Sequence, residues 1–367
     1  MKHLLEEKYM ELAIELAKKG NGWTNPNPMV GAVIVKDGKI IGQGYHERYG
    51  QLHAERNALA ACSESPVGAT MYVTLEPCCH YGKTPPCTEA IIENKIKKVF
   101  IGSTDPNELV AGKGIKQLED AGIEVVVGVL KEECDALNRI FFQYIKNKKP
   151  FVAMKYAMTL DGKIATYSGK SKWITSEEAR THVHGLRHQY TGIMVGIGTV
   201  LKDDPMLDCR LPHCKNPIRI VCDTNLQISL DSQIVKSANK RTTIIATAST
   251  NEEKIEQLKE AHCEVLIVQT LNGHIDLENL LVKLGEEKID CILLEGGGTL
   301  NYAALKCGIV NRVFCYIAPK IFGGAEAISP VEGHGIDHPD EAFVFENRKI
   351  TTLGEDILLE FDVKRGE

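Results

Sequence analysis

Long apolar segments are missing from this 367-residue sequence, and no stretch approaches the ~20 residues that cross a bilayer as a helix. Charged residues also interrupt the opening MKHLLEEKYMELAIELAKKG, which therefore lacks the apolar run of a secretory signal. We expect a cytoplasmic protein with no membrane partner. In a reducing compartment the 12 cysteines indicate small buried hydrophobic groups, not a disulfide framework.

An excess of positive charge is also missing, because the formal net charge is −6. Residues 1–148 contain 18 Lys and Arg against 19 Asp and Glu, and the remainder contains 25 against 30, so neither part is basic. Nucleic-acid-binding proteins usually present a basic face. The charge balance therefore argues against a nucleic-acid partner.

The length and the pattern of apolar residues predict two α/β domains. A chain of 367 residues exceeds the usual size of a single hydrophobic core. The charged, proline-terminated stretch KNKKP (146–150) is the candidate boundary, and a new series of strands and helices begins after it. We therefore expect domains over residues 1–147 and 148–367.

Local patterns predict individual elements within this organisation. Helical spacing of apolar residues indicates helices over residues 4–19 and about 130–146. Two apolar runs flank Asp37-Gly38, which predicts a β-hairpin.

A pattern of metal-binding residues lies in the first half. His53 and Glu55 form a His-x-Glu pair, which is followed by Pro77-Cys78 and, after eight more residues, by Cys87. This is close to the pattern of zinc-dependent base deaminases. One imidazole and two thiolates give zinc three ligands and leave the fourth position to a water, whose pKa the metal lowers towards ~7. A carboxylate near the metal, here Glu55, can carry that proton to a departing nitrogen.

A structural zinc site is the alternative interpretation, since His80 could supply a fourth ligand. A zinc-stabilised binding module without catalysis would have such a closed site. Structural sites usually have paired cysteine knuckles and need no carboxylate beside the histidine, so the pattern favours catalysis.

The dinucleotide-binding fingerprint G-x-G-x-x-G is missing from the second half. TGIMVGIGTVL contains Gly196 and Gly198 but lacks the third glycine. In LLEGGGTLN (293–301) an apolar strand leads into three glycines and a helix, where backbone N–H groups can approach a phosphate or another anion. A glycine-rich turn is the alternative interpretation.

Motifs of both halves together resemble the bifunctional deaminase/reductase family of riboflavin biosynthesis. The first half has WTNPNPMVGAVIVKDGKIIGQGYHERYGQLHAERNALAAC and VTLEPCCHYGKTPPCTEAII, and the second has MKYAMTLDGKIAT, SKWITSEEAR, GIGTVLKDDP and EGGGTLN. The resemblance covers nearly the whole chain. It implies an α/β fold with an N-terminal cytidine-deaminase-like three-layer domain and a C-terminal dihydrofolate-reductase-like domain.

The resemblance also implies two reactions. The first is zinc-dependent hydrolytic deamination of 2,5-diamino-6-(ribosylamino)-4(3H)-pyrimidinone 5′-phosphate, and the second is NADPH-dependent reduction of the ribosyl group to a ribityl side chain. The partners would be small phosphorylated pyrimidines, and we expect a homo-oligomer. The rival interpretation, a nucleic-acid base deaminase with an accessory domain, predicts a basic face and C-x-x-C spacing. The net charge of −1 in residues 1–148, from 18 Lys and Arg against 19 Asp and Glu, and the eight-residue gap between Cys78 and Cys87 both count against it.

In the first domain the resemblance assigns roles to single residues. His53, Cys78 and Cys87 would bind zinc. Glu55 would be the catalytic proton shuttle, whereas Cys79 would not bind the metal. The implied substrate-binding residues are Asn27, His46, His80, Lys83, Asp105 and Asn107.

In the second domain the resemblance implies a cofactor site and a substrate site. Lys155 and Glu295 are the groups that we nominate as proton donors during hydride transfer. The implied NADPH-binding residues are Ala157, Trp173, Thr199, Asp203, Gly297, Gly298, Thr299, Leu300, Asn301, Tyr302 and Ala303. The implied substrate-binding residues are Ser171, Arg187, Arg210 and Glu295. Taken singly, Trp173 would be a core aromatic residue and Arg187 a solvated helix residue.

Overall fold

The computed structural model of the protein describes residues 2–364. The chain divides into two units, Met1–Lys148 and Lys149–Glu367, so the division lies one residue beyond the boundary inferred from KNKKP. Within the described residues no helix has both the length and the apolar character of a bilayer span. No disulfide joins any of the 12 cysteines, all of which lie in the described range.

A mixed sheet organises the first unit. Its strands are β1 (Gly31–Lys36), β2 (Lys39–Tyr45), β3 (Thr70–Leu75), β4 (Lys98–Ser103) and β5 (Glu124–Val127). Its helices are α1 (Lys2–Lys18), α2 (Ala54–Ala60), α3 (Cys87–Glu93), α4 (Lys113–Asp120), α5 (Lys131–Leu137) and α6 (Arg139–Asn147). The strand order is β2-β1-β3-β4-β5, in which β1 is antiparallel to both neighbours and β3, β4 and β5 are parallel.

Successive side chains of β1 point to two different helical layers. Val33 is completely buried with Met10 of α1, whereas Ile34 is completely buried with Ala58 of α2. A Cβ at Gly44 of β2 would lie 2.4 Å from the backbone nitrogen of Ala58, so α2 packs directly on the strand. Because strand residues alternate between the two faces, the sheet is the middle one of three layers.

The helix predicted over about 130–146 is instead two helices, α5 and α6, which meet at Asn138. The buried side-chain amide of Asn138 donates to the carbonyl oxygen of Met29 at 2.9 Å and accepts the N–H of Met29 at 2.8 Å. These two hydrogen bonds satisfy the backbone of a distant segment, and the helix breaks where they form.

The second unit contains a larger sheet and the remaining helices. Its strands are β6 (Phe151–Thr159), β7 (Gly192–Gly196), β8 (Ile218–Cys222), β9 (Thr243–Thr247), β10 (Glu264–Ile267), β11 (Thr270–Leu271), β12 (His274–Ile275), β13 (Cys291–Leu294), β14 (Val310–Ala318), β15 (Phe345–Leu353) and β16 (Asp356–Val363). Its helices are α7 (Glu177–Gln189), α8 (Ile197–Asp203), α9 (Gln233–Lys236), α10 (Glu252–Glu260), α11 (Leu277–Glu286) and α12 (Gly298–Lys306).

The sheet of the second unit has the order β10-β9-β8-β7-β13-β6-β14-β16-β15. Strands from β10 to β14 in this order are parallel, and β16 and β15 complete the sheet in antiparallel fashion. The chain leaves β7 towards β8, whereas it leaves β13 towards β14 on the other side. Adjacent strands whose connections diverge form a crevice at their carboxyl ends, which is the usual ligand site of open α/β sheets.

Candidate active sites

Three segment ends bring one histidine and two cysteines together in the first unit. His53 is the N-cap residue of α2, Cys78 follows β3, and Cys87 is the first residue of α3. Nδ1 of His53 lies 3.5 Å from each of the two sulphur atoms. The ligand atoms of the three residues all lie within 4.8 Å of one another.

This donor set fits zinc, which binds imidazole nitrogen and thiolate sulphur. A hydrogen bond from Cys87 and another from His53 lower the pKa of Cys78 to about 4, so a thiolate is available at neutral pH. Among the described residues the cluster that could hold a metal comprises these three, and His80 is not part of it. Three protein ligands leave a coordination position for water, as a catalytic site requires.

Glu55 lies beside this cluster as the second residue of α2. Its side chain is buried and lines the same pocket as His53 and Cys78. Burial raises the pKa of the Glu55 carboxyl, and the negative charge of Cys78 raises it further. A raised pKa makes this carboxylate a stronger proton acceptor than an ordinary carboxylate, as a proton shuttle requires.

A pocket of about 240 Å³ opens next to Glu55. It is lined by all six residues predicted to bind the deaminase substrate, namely Asn27, His46, His80, Lys83, Asp105 and Asn107. Cys79 lies apart from the metal cluster, with its sulphur 3.7 Å from the carbonyl oxygen of Leu109.

Hydrogen bonds fix the tautomer of His46 on the pocket wall. Its Nδ1 lies 3.1 Å from the carbonyl oxygen of Leu52, which can only accept, so the ring proton is on Nδ1. Nε2 then accepts from the amide nitrogen of Asn27 at 3.3 Å. Burial lowers the pKa of His46, which agrees with this neutral ring.

Two further residues offer polar groups to the pocket. Nδ1 of His80 is buried and has no hydrogen-bond partner within the described chain, and such an orphaned group is available to a ligand. Nζ of Lys83 lies 4.0 Å from the centroid of the Tyr49 ring, which holds the ammonium by a cation–π interaction.

Asp105 and Asn107 reach the pocket from a turn after β4. The carboxylate of Asp105 accepts the N–H of Asn107 at 2.8 Å, and the side-chain oxygen of Asn107 accepts the N–H of Leu109 at 3.1 Å. Burial raises the pKa of Asp105 to about 6, against the effect of the Asn107 hydrogen bond. The turn thus presents one carboxyl and one amide to the same pocket.

In the second unit the two glycine motifs meet at the crevice between β7 and β13. A Cβ at Gly297 would lie 3.9 Å from Oγ1 of Thr199, which is its nearest neighbour, so the space beside Gly297 is open. Asn301 of α12 is completely buried, and its Oδ1 has no hydrogen-bond partner among the described residues, although its Nδ2 donates to the carbonyl oxygen of Pro330. The open backbone at a helix N-terminus suits a phosphate group of a cofactor, and the orphaned amide oxygen can accept a hydrogen bond from a hydroxyl or N–H donor of that cofactor.

The other predicted cofactor residues lie on nearby elements. Ala157 lies on β6, Asp203 ends α8, and Thr299, Leu300, Tyr302 and Ala303 follow Gly298 on α12. Trp173 is 61% exposed, and the Arg180 guanidinium lies 4.6 Å from its ring, so it is not a core aromatic residue. Ser171 lies two residues before it.

Arg187 is engaged by protein oxygens, whereas the resemblance implies a substrate contact. Its Nε and Nη2 donate to the two carboxylate oxygens of Glu295 at 2.7 and 3.0 Å, and Nη1 donates to the carbonyl oxygen of Asp208 at 3.0 Å. Arg210 remains 60% exposed beside the Asp208 carboxylate, at 3.0 Å. Of the two arginines, Arg210 has the more exposed side chain, whereas that of Arg187 is 14% exposed.

The two residues nominated as proton donors, Glu295 and Lys155, belong to one ion network with Arg187. Burial would raise the pKa of Glu295, but the positive charges of Arg187 and Lys155 outweigh burial and lower it to about 2. Such a group carries no proton to donate at neutral pH. Nζ of Lys155 lies 3.6 Å from Glu295, and burial lowers the pKa of this ammonium, which leaves Lys155 as the candidate donor.

Comparisons with known proteins match both units. The RibD C-terminal domain model matches residues 150–359, and the model of the cytidine and deoxycytidylate deaminase zinc-binding region matches residues 4–103. The riboflavin biosynthesis protein RibD of Actinobacillus pleuropneumoniae is 58% identical over 362 residues, which are 99% of this chain and 96% of that protein. The chain belongs to the RibD family.

Solved RibD structures have the same fold. A deaminase/reductase from Thermotoga maritima is 41% identical with a TM-score of 0.89, and Acinetobacter baumannii RibD is 34% identical with a TM-score of 0.89. Each comparison covers 99% of this chain and 100% of the other. RibD membership confirms the predicted family and the α/β fold with a deaminase-like and a reductase half.

Sequence reasoning missed several residues of the RibD deaminase pocket. Tyr49, Glu76 and Phe141 line it, although no role was predicted for them. Glu76 stands next to Pro77-Cys78 in the sequence, and this closeness of a carboxylate to a predicted metal ligand could have indicated a pocket residue. Phe141 comes from α6, and nothing in its local sequence indicates a pocket residue.

Proposed function

We propose that this chain catalyses two consecutive steps of riboflavin synthesis. Residues 1–147 would deaminate 2,5-diamino-6-(ribosylamino)-4(3H)-pyrimidinone 5′-phosphate, and residues 148–367 would reduce the ribosyl group of the product to ribityl. The Thermotoga relative is described as a diaminohydroxyphosphoribosylaminopyrimidine deaminase and 5-amino-6-(5-phosphoribosylamino)uracil reductase. The observation that carries the proposal is the buried carboxyl of Glu55 beside a His-Cys-Cys cluster in a pocket.

His53, Cys78 and Cys87 would hold the zinc ion of the deaminase. When bound, zinc supplies a water of lowered pKa at neutral pH. The Glu55 carboxylate takes up the proton of the attacking water and delivers it to the departing amino nitrogen, and its raised pKa suits both transfers.

The polar groups of the pocket bind the substrate. Nδ1 of His80 has no hydrogen-bond partner in the part of the chain that the structure describes, and it can bond the ring or the ribose of the substrate. Lys83 supplies a mobile positive charge for the phosphate or for a ring oxygen. The remaining substrate contacts come from Asn27, His46, Asp105 and Asn107.

NADPH would bind at the carboxyl ends of β7 and β13, where it supplies the hydride. The open backbone at Gly297 and the orphaned Oδ1 of Asn301 face the cofactor, together with Thr199. The remaining cofactor contacts come from Ala157, Trp173, Asp203 and the rest of 297–303. Arg210, with Ser171, binds the substrate phosphate, the paired side chains of Arg187 and Glu295 face the substrate, and Lys155 delivers the proton.

We also propose a cytoplasmic homo-oligomer that acts on small molecules. Twelve cysteines without a disulfide agree with a reducing compartment. Light scattering after gel filtration measures the number of subunits. A nucleic-acid base deaminase is not favoured, because both halves match RibD proteins and neither is basic.

Replacing Glu55 with Gln tests the deaminase. We expect ammonia release to fall by about 10²–10⁴-fold, the range of general acid–base catalysis, while zinc stays bound. Glu64→Gln, the same change at an exposed position, should keep wild-type activity. Retained deamination in Glu55→Gln would refute the shuttle, and loss of zinc would make Glu55 a ligand.

The reductase is tested with the deaminated product and either NADPH or NADH. We expect loss of absorbance at the reduced-nicotinamide band with NADPH and much slower loss with NADH. Equal rates with both would remove the preference for NADPH.

A further inference from the structure

Glu76 places an ionisable side chain inside the first unit, where it accepts four backbone hydrogen bonds. It lies immediately after β3 and is 3% exposed. Its Oε2 accepts the N–H groups of Asp105 and Gly112 at 3.3 and 3.1 Å. Its Oε1 accepts those of Gly114 and Ile115 at 3.1 and 3.3 Å.

All four donors belong to one segment, residues 105–115. Three of them, from Gly112, Gly114 and Ile115, are the N-cap and first-turn groups of α4, which have no partner within a helix. A carboxylate at this end also suits the helix dipole. A Cβ at Gly114 would lie 2.2 Å from the carbonyl oxygen of Pro77, so α4 abuts the chain just beside Glu76.

The same segment carries three residues of the deaminase pocket, namely Asp105, Asn107 and Val110. The turn from Asp105 to Leu109 is held by its own side-chain bonds, but those bonds do not join it to the rest of the unit. Glu76 joins the segment to β3 by four hydrogen bonds, and its backbone leads directly into Pro77 and Cys78. Another contact between this turn and the metal-binding loop is the weaker one of the Cys79 sulphur with the Leu109 carbonyl oxygen, at 3.7 Å.

We propose that Glu76 is a positioning residue of the deaminase, whose carboxylate sets the distance between the metal-binding end of β3 and the substrate-binding turn at Asp105 and Asn107. Substrate affinity therefore depends on Glu76, although Glu76 itself need not touch the reacting atoms. The expected effect on substrate affinity rests on the proposed deamination. The expected effect on the position of residues 105–115 rests on the four hydrogen bonds alone.

Glutamine cannot replace the carboxylate in this position. Its single amide oxygen can accept the N–H groups of one side, whereas its NH₂ group would face the donors of the other side. Two backbone N–H groups, one of them buried and the other partly buried, then lose their partner while the size of the side chain is unchanged.

The test combines hydrogen exchange with steady-state kinetics in Glu76→Gln, Glu76→Asp and Glu108→Gln of the full chain. Glu108 lies in the same segment with an exposed side chain, so Glu108→Gln repeats the charge change without the four bonds. In Glu76→Gln we expect amides within 105–115 to exchange at least about tenfold faster, the factor that about 1.4 kcal/mol represents. KM for deamination should rise by about tenfold or more, with kcat within about threefold.

Zinc content and reduction of the deaminated product should stay at wild-type levels in Glu76→Gln, and Glu108→Gln should match the wild type throughout. Glu76→Asp keeps the charge but has a side chain one methylene shorter. Its KM and exchange rates should therefore lie between those of the wild type and those of Glu76→Gln. Unchanged exchange in 105–115, or a loss of kcat with unchanged KM, would overturn the inference. If the wild type itself releases no ammonia, the proposed function fails, whereas the exchange experiment still decides the role of Glu76.

Discussion

Removal of the negative charge of Glu295 should destabilise the second unit by a predictable amount. The carboxylate is 11% exposed and lies within 3.0 Å of two guanidinium nitrogens of Arg187 and 3.6 Å from Nζ of Lys155. Glu295→Gln keeps the shape of the side chain but leaves two cations next to each other, and their side chains are only 15% and 14% exposed. Breaking one side of a buried ion network costs more than the loss of a surface pair.

The magnitude follows from the pKa of Glu295, which the two cations lower from 4.5 to about 2 against the effect of burial. A pKa that is lower by about 2.5 corresponds to about 3 kcal/mol of unfolding free energy at neutral pH. Because the pKa of this carboxyl is lower in the folded protein than in the unfolded chain, its ionised form stabilises the fold. The contribution is complete above pH 4.5 and is lost as the pH falls towards about 2.

Urea unfolding read by pulse proteolysis, with mass spectrometry of peptides from the second unit, measures this loss. With an m value of about 2–3 kcal/mol/M, the midpoint of Glu295→Gln at pH 7 should fall by about 1 M. The control is Glu278→Gln, which removes an exposed ion pair with Lys149 and should change the free energy by less than about 1 kcal/mol.

Two results would refute this reasoning about Glu295. One is a loss below about 1 kcal/mol at pH 7, and the other is a loss that does not shrink between pH 4.5 and pH 3. Arg187→Met combined with Glu295→Gln should cost less than the sum of the single changes, since Arg187→Met removes a cation that Glu295→Gln leaves unpaired.

Three further predictions concern the two sites. Cys79→Ser should keep zinc and deamination, whereas Cys87→Ser should lose both, as metal analysis and ammonia release will show; zinc loss in Cys79→Ser would contradict the ligand set. Lys83→Met should raise the deaminase KM about three- to tenfold, because a charge-assisted contact to phosphate is lost; an unchanged KM would place the phosphate elsewhere. Gly298→Ala should lower the melting temperature of the second unit, since its Cβ would lie 2.5 Å from the Glu332 side chain and 2.9 Å from the Ser329 carbonyl oxygen. Gly297→Ala should keep the fold but raise KM for NADPH. Equal melting temperatures of the two variants would contradict this packing.

Features that depend on local chemistry could be predicted from the sequence. The hairpin turn is one, because Asp37 and Gly38 both take positive φ, 48° and 76°, as a two-residue turn of this type requires. The metal cluster is another. His53, Cys78 and Cys87 each stand at or near the end of an element, and the sequence pattern alone indicated that they bind one metal ion.

Features that depend on distant partners could not be predicted. The break at Asn138 requires Met29, more than a hundred positions earlier. Arg187 has the pattern of a solvated helix residue, and only the fold brings Glu295 to it. Nearly all side chains of β15 are exposed, so buried and exposed residues do not alternate along it. Its sequence therefore lacks the alternating apolar pattern by which a half-buried strand is predicted.

The central claim is that one chain performs a deamination followed by a reduction, with Glu55 needed for the first step alone. The most direct measurement supplies the diamino substrate and NADPH and follows ammonia and NADPH together. We predict one NADPH oxidised per ammonia released by the wild type. Glu55→Gln should do neither, yet should oxidise NADPH at the wild-type rate when the deaminated product is supplied. NADPH oxidation by Glu55→Gln with the diamino substrate at the wild-type rate would contradict the account.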